Sequence, residues 1–197
     1  MRMSLVVRDG GRWALLALAL SLPAEAQETT WRIMRGDVRV ECPMTVGGSF
    51  TAATTALAGV VAFDAAGRLR GALDVDLTTL DTGIELRDTH LRDTYLEVDR
   101  GRNFARATIS EIALDGADPR TLVGKTTFRA TFRLHGVARP VSGVAELART
   151  PGGIDVVAHF PVVLPDHDIQ APRYLGVGVS DRVEAEVRFT AVQETGR

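Results

Sequence analysis

The stretch Thr127-Phe128-Arg129-Ala130-Thr131-Phe132-Arg133-Leu134-His135-Gly136-Val137 decides the fold class. Phe128, Ala130, Phe132 and Leu134 alternate with Thr127, Arg129, Thr131 and Arg133. An apolar residue at every second position turns one face of an extended strand to a core and the other to water. His135-Gly136 then makes a two-residue connection, which suits a tight hairpin and an antiparallel neighbour. The same alternation runs through Leu69-x-Gly71-x-Leu73-x-Val75-x-Leu77, with Arg70, Asp74, Asp76 and Thr78 on the other parity. It returns in Val183-x-Ala185-x-Val187-x-Phe189, interleaved with Glu184, Glu186 and Arg188. Weaker strands read at residues 35–42, 56–63, 104–114, 137–148 and 154–164. Turn residues separate them at Asp64-Ala65-Ala66-Gly67 and Thr150-Pro151-Gly152-Gly153. About eight strands at this spacing predict an all-β sandwich or barrel.

One segment breaks the period. Residues 84–96 carry Leu86, Leu91 and Tyr95 at helical spacing, with Asp88 and Arg92 at i, i+4. One or two short helical turns are expected there, with Asp81 and Thr82 as caps and an Asp88–Arg92 ion pair. Gly71, Ala105, Ala107, Ala130, Gly143, Ala145, Ala158 and Ala185 fall on the apolar faces. Small residues inside a closed sheet leave volume for an elongated ligand. The same residues equally suit tight packing of a two-layer sandwich.

The 197 residues fit one domain of ordinary size. A net charge of −2 from 23 basic and 25 acidic residues gives no support for nucleic-acid binding. Lys125 is the sole lysine, so arginine supplies the rest of the basic residues, as a GC-rich genome would produce. Arg2, Arg8 and Arg12 precede a short apolar run, Trp13 to Leu20, and then Ala24-Glu25-Ala26. That order is the pattern of a signal peptide over residues 1–26, leaving 27–197 as an exported barrel domain, periplasmic or secreted. The run is too short for an ordinary membrane helix, and no later segment of the mature chain is long and apolar enough to span a membrane. Cys42, the sole cysteine, excludes an intramolecular disulfide and any multi-cysteine metal site. Its place in Val38-x-Val40-x-Cys42 reads as a buried apolar position, and a homodimer through this thiol stays open.

Candidate chemistry is sparse. In Arg87-Asp88-x-His90-Leu91-Arg92 the acid and the imidazole could act as an acid–base pair, or the arginines could hold an anionic head group. Residues at i and i+2 on a helix do not face each other, so surface pairing explains the charges more simply. His159 and Asp166-His167-Asp168 match no metal-binding spacing. His135 reads as a turn residue, and Ser142 lies on an outward parity with no nearby histidine. Neither a nucleophile elbow nor a phosphate loop is present. No catalytic residue and no metal ligand are nominated.

The order of several pieces resembles the YceI family of polyisoprenoid-binding proteins. Thr79-Leu80-Asp81-Thr82-Gly83 followed by Arg87-Asp88-x-His90-Leu91-Arg92 looks like the family's signature. Phe104 to Ile109 resembles its aromatic-Pro-x-Ala-x-Phe strand, and Leu134 to Val141 its Leu-His-Gly-Val-Thr-Lys-Pro-Val hairpin. Asp168 to Pro172, Leu175 to Val177 and Asp181 to Val183 are similar to its C-terminal stretch. Gly36-Asp37 stands where the family commonly has His-Ser, Pro43 to Thr55 replaces an aromatic-rich strand, and Ala105 replaces a proline. The resemblance implies an extended eight-stranded antiparallel lipocalin-like barrel with a short helix between strands. It also implies an isoprenoid lipid or quinone as ligand, with no cofactor and no catalysis. The inward parities then nominate a lining of Val40, Phe63, Leu73, Val75, Leu77, Ile109, Phe128, Phe132, Val156, Phe160, Val187 and Phe189. The alternative is a packed barrel that serves as a structural or interaction protein of the envelope without a lipid.

Overall fold

His135 and Gly136 have φ of 52° and 79°, the left-handed pair that a two-residue hairpin requires. They join β6 (Gly124–Leu134) to β7 (Val137–Thr150), whose partners run from Leu134–Val137 to Gly124–Leu147 without a shift. The computed structural model describes residues 29–63, 69–116, 123–174 and 177–194. The expected signal peptide and the whole turn at residues 64–67 lie outside the described residues. The remaining long strands are β1 (Thr29–Pro43), β2 (Ser49–Thr54), β3 (Leu57–Phe63), β4 (Leu69–Asp76), β5 (Arg106–Asp115) and β8 (Gly153–Val163). A short hairpin, β9 (Arg173–Tyr174) and β10 (Val177–Gly178), precedes the last strand, β11 (Arg182–Gln193).

The sheet order is β11-β8-β7-β6-β5-β4-β3-β1-β2, and β11 also pairs with β1, so the sheet closes on itself. Strands β2 and β3 act as one bent strand. Both pair with β1 in a single register, Pro43 opposite Ser49, Val38 opposite Thr54 and Thr29 opposite Phe63. The result is a closed eight-stranded antiparallel barrel, elongated because β1 alone has 15 residues, roughly 50 Å of extended chain.

Two local expectations need correction. No strand is expected at residues 49–54, yet β2 forms, because Phe50, Ala52 and Thr54 hold the inward parity beside β1. The small and polar residues of this stretch hide the alternation, and the Thr54 hydroxyl is satisfied by that of Thr79 at 2.6 Å. The strand expected from residue 104 starts at Arg106; Phe104 and Ala105 belong to a helical turn, α2 (Arg102–Ala105). Gly71 keeps the inward parity, opposite Val61, and is exposed, with φ of 107° and the Val60 carbonyl where a Cβ would sit.

The loop between β4 and β5 carries a short helix, α1 (Glu85–Thr89), which widens into a π-type turn over His90–Tyr95. Its N-cap is Ile84, without a side-chain cap, so Asp81 and Thr82 do not cap it as expected. Instead the buried Asp88 reaches back to the backbone N–H and hydroxyl of Thr82, at 2.7 and 2.5 Å. Those hydrogen bonds hold its carboxyl below the ordinary range. Arg92 donates to the Thr78 carbonyl rather than pairing with Asp88, on which it acts only through its field.

A second clamp closes the same end. The 3-10 turn Leu164–His167 folds over the β6–β7 hairpin. The buried His167 donates from Nδ1 to the Val137 carbonyl at 3.0 Å. His135 bridges the His167 carbonyl and the Glu97 carboxylate, at 3.2 and 2.8 Å, under the edge of the Phe104 ring.

Two outcomes check this architecture. Gly143 sits beneath the Phe128 ring, and a Cβ there would lie 2.2 Å from the His159 carbonyl. Gly143→Ala should therefore cost about 1–3 kcal/mol in denaturant unfolding, and an unchanged midpoint would contradict the packing. Burial pushes the His167 pKa down from 6.5, so the unfolded chain takes up the proton more readily. Its stabilising contribution is present above about pH 6.5 and is lost as pH falls through the lower folded value. The thermal midpoint should drop between pH 7 and 5, and His167→Gln should flatten that drop; an identical slope in the variant would refute this assignment.

Candidate functional site

Closure turns the inward parities of all the barrel strands onto one cavity of about 660 Å³. That volume is in the range that holds one small-molecule ligand, well beyond the voids a packed interior tolerates. All twelve residues nominated from parity line its wall: Val40, Phe63, Leu73, Val75, Leu77, Ile109, Phe128, Phe132, Val156, Phe160, Val187 and Phe189. Of the small residues noted in the sequence, Ala107, Ala145, Ala158 and Ala185 line it too. Edge-to-face contacts carry an aromatic run up one side, Phe128 to Phe160, Phe160 to Phe132 and Phe132 to His167, with ring centroids 5.4–6.0 Å apart.

The cavity is polarised along its length. At the end where β1 starts and β11 finishes, Trp31, Phe63, Leu147, Ile154 and Ala191 are buried. At the other end the wall includes Arg87, His90, Tyr95 and Arg173, from the β4–β5 loop and β9. There Ile84, Leu86 and Val177 line the cavity while remaining exposed, so this is where it opens. Parity could not nominate these mouth residues, because they lie on loops brought over the barrel by long-range contacts. The sequence signal was the helical spacing of residues 84–96, which marked the segment without saying what it covers.

Arg87 is held at the mouth by three contacts. Its Nε donates to the Thr82 hydroxyl at 2.8 Å, its Nη2 to the Thr82 carbonyl at 3.0 Å, and its guanidinium lies 4.3 Å from the Phe50 ring centre. Cys42 stands on the wall nearby, 7% exposed, as the alternation at residues 38–42 suggested. Burial pushes its thiol up to about 11, against the opposing charge of Arg87, so it is neutral at ordinary pH.

The residues weighed for catalysis do not assemble. His90 lines the mouth, Asp88 is committed to Thr82, and His159 is exposed, 3.7 Å from Glu186. His167 and His135 serve the loop clamp. Among the described residues no cluster of three His, Cys, Asp or Glu side chains could hold a metal ion.

At Gly36 there is no room for a side chain: a Cβ would meet Leu57 Cδ2 at 2.6 Å and the Arg188 carbonyl at 2.9 Å. Leu57, itself on the wall, takes the space that a larger residue there would need.

Solved structures share this architecture at low identity. A polyisoprenoid binding domain from Saccharophagus degradans implicated in plant cell wall breakdown matches with a TM-score of 0.63 and 17% identity, over 83% of this chain and 98% of that one. BcnA of Burkholderia cenocepacia matches with a TM-score of 0.60 and 15% identity, over 77% and 94%. A YceI protein of Campylobacter jejuni matches with a TM-score of 0.51 and 16% identity, over 71% and 82%. No curated protein sequence matches the chain. The model of the YceI-like domain matches residues 30–191, nearly the whole barrel, and the chain belongs to that family.

Proposed function

We propose that this protein is an exported, non-enzymatic carrier that holds an isoprenoid lipid or quinone in its barrel. The observation that carries the reading is the polarised cavity, apolar along its length with polar side chains at its mouth. A chain-like apolar molecule gains about 25 cal/mol for each Å² removed from water, so its site needs area rather than directed contacts. A polar head would then remain at the mouth near Arg87, His90 and Arg173. The matched polyisoprenoid binding domain of Saccharophagus degradans supports the ligand class. The signal-peptide pattern of residues 1–26 supports a periplasmic or secreted location. No cofactor enters the reading, since burial of the chain is the whole mechanism.

The test is uptake of geranylgeraniol by the purified mature protein, followed by the change in emission of Trp31, which lines the cavity. Leu73→Arg and Phe132→Asp place a charge on the wall and should abolish uptake. Ala158→Phe fills the cavity without a charge and should weaken uptake tenfold or more, about 1.4 kcal/mol. Undiminished uptake in folded Ala158→Phe protein would overturn the reading, as would wild-type protein that takes up neither this polyprenol nor a prenylated quinone.

The thiol gives an independent check. The thiolate is the reactive form, and a shift from 9.0 to about 11 leaves about 100-fold less of it at pH 8. Iodoacetamide should alkylate Cys42 about that much more slowly in native protein than in denaturant, and more slowly again once geranylgeraniol is bound. Equal rates in native and denatured protein would place the thiol elsewhere.

A further inference from the structure

Among the described residues six large apolar side chains are exposed, and four of them sit at the cavity mouth. Ile84 and Leu86, 54% and 67% exposed, flank the start of α1. Val177, 45% exposed, opens β10. Val46, 69% exposed, tips the β1–β2 turn, where the neighbouring Thr45 N–H donates to the Gly178 carbonyl. Three separate loops thus bring apolar tips around one opening. Scattered exposed apolar residues need no explanation, but a cluster ringing a functional opening does.

We propose that this rim docks the protein on the surface of a phospholipid bilayer, with the mouth facing the lipid. The inference rests on the carrier reading above. An isoprenoid chain resides in a membrane, and an apolar rim lets it pass into the cavity without crossing water. Four side chains exposed by 45–69% present on the order of a few hundred Å² of apolar surface, short of the roughly 800 Å² per side that a stable protein pair buries, so a bilayer suits the rim better than a second protein. Beside the rim, Arg87 and the buried Asp88 are engaged with Thr82, whereas the Arg173–Asp181 pair, 2.8 Å apart, is more than half exposed and keeps its water in the head-group layer. Glu85 is exposed between Ile84 and Leu86, which sets the depth at the head-group layer rather than in the hydrocarbon.

The test is flotation of the mature protein with vesicles of phosphatidylethanolamine and phosphatidylglycerol that contain no isoprenoid. Wild-type protein should float with the vesicles. Val46→Ser combined with Leu86→Ser should reduce the floated fraction at least fivefold. Met34→Ser combined with Val123→Ser, which removes the two exposed apolar residues away from the mouth, should leave it unchanged. Circular dichroism confirms that each variant is folded. Equal flotation of the rim variant, or no flotation of wild-type protein, would overturn the proposal. So would wild-type self-association that the rim variant abolishes in the absence of vesicle binding, since the rim would then join two copies. Uptake of dispersed geranylgeraniol without flotation would refute the rim alone, whereas flotation without uptake would refute the carrier reading on which it rests.

Discussion

The pairing of β1 with β11 is the constraint on which the rest of the molecule depends. Ten residue pairs, from Trp31 opposite Gln193 to Glu41 opposite Glu184, join the first strand of the barrel to the last. Without that seam the inward faces would line an open sheet and expose both edges. With it, apolar parity becomes an enclosed wall, and alanines at 107, 145, 158 and 185 become free volume. The seam carries one register shift, between Ile33 and Arg35, and Gly36 just beyond it leaves the space that Leu57 fills.

Closure alone makes a tube, and the two long loops decide which end is a mouth. Over one part of that end, His135, His167, Glu97 and Phe104 tie the loops to the β6–β7 hairpin. Buried polar groups of this kind hold their places because each finds a partner. Over another part, Asp88 and Arg87 converge on Thr82 and fix α1 beside Phe50. The gap left between α1, the β1–β2 turn and β10 is the opening. Polar side chains thus shape the entrance while apolar ones make the interior.

The strands with strict alternation were legible in the sequence, and so was the wall, because parity on a strand survives into the barrel. Eleven of the twelve nominated residues face the cavity for that reason, and Leu77 reaches it from the 3-10 turn that follows β4. Legibility failed where short-range pattern and long-range pairing part company. Residues 49–54 show no clear alternation because Thr and Ala dilute it, yet pairing with β1 makes them a strand. Ala105 looked like an inward strand residue but closes a helical turn, and the register shift between Ser110 and Ala113 lets Ile112 and Leu114 join the wall beyond it. Asp88 offered an i, i+4 partner in Arg92 but takes stronger local donors at Thr82. The mouth was out of reach of sequence reasoning, since Ile84, Val46 and Val177 meet only through the fold.

The central claim is that the cavity holds an isoprenoid chain. Mass spectrometry of an organic extract of the mature protein, purified without detergent from its native host, tests it most directly. The account predicts one isoprenoid lipid or prenylated quinone per protein molecule. A folded protein whose extract contains no such molecule, and which takes none up when it is supplied, would contradict it.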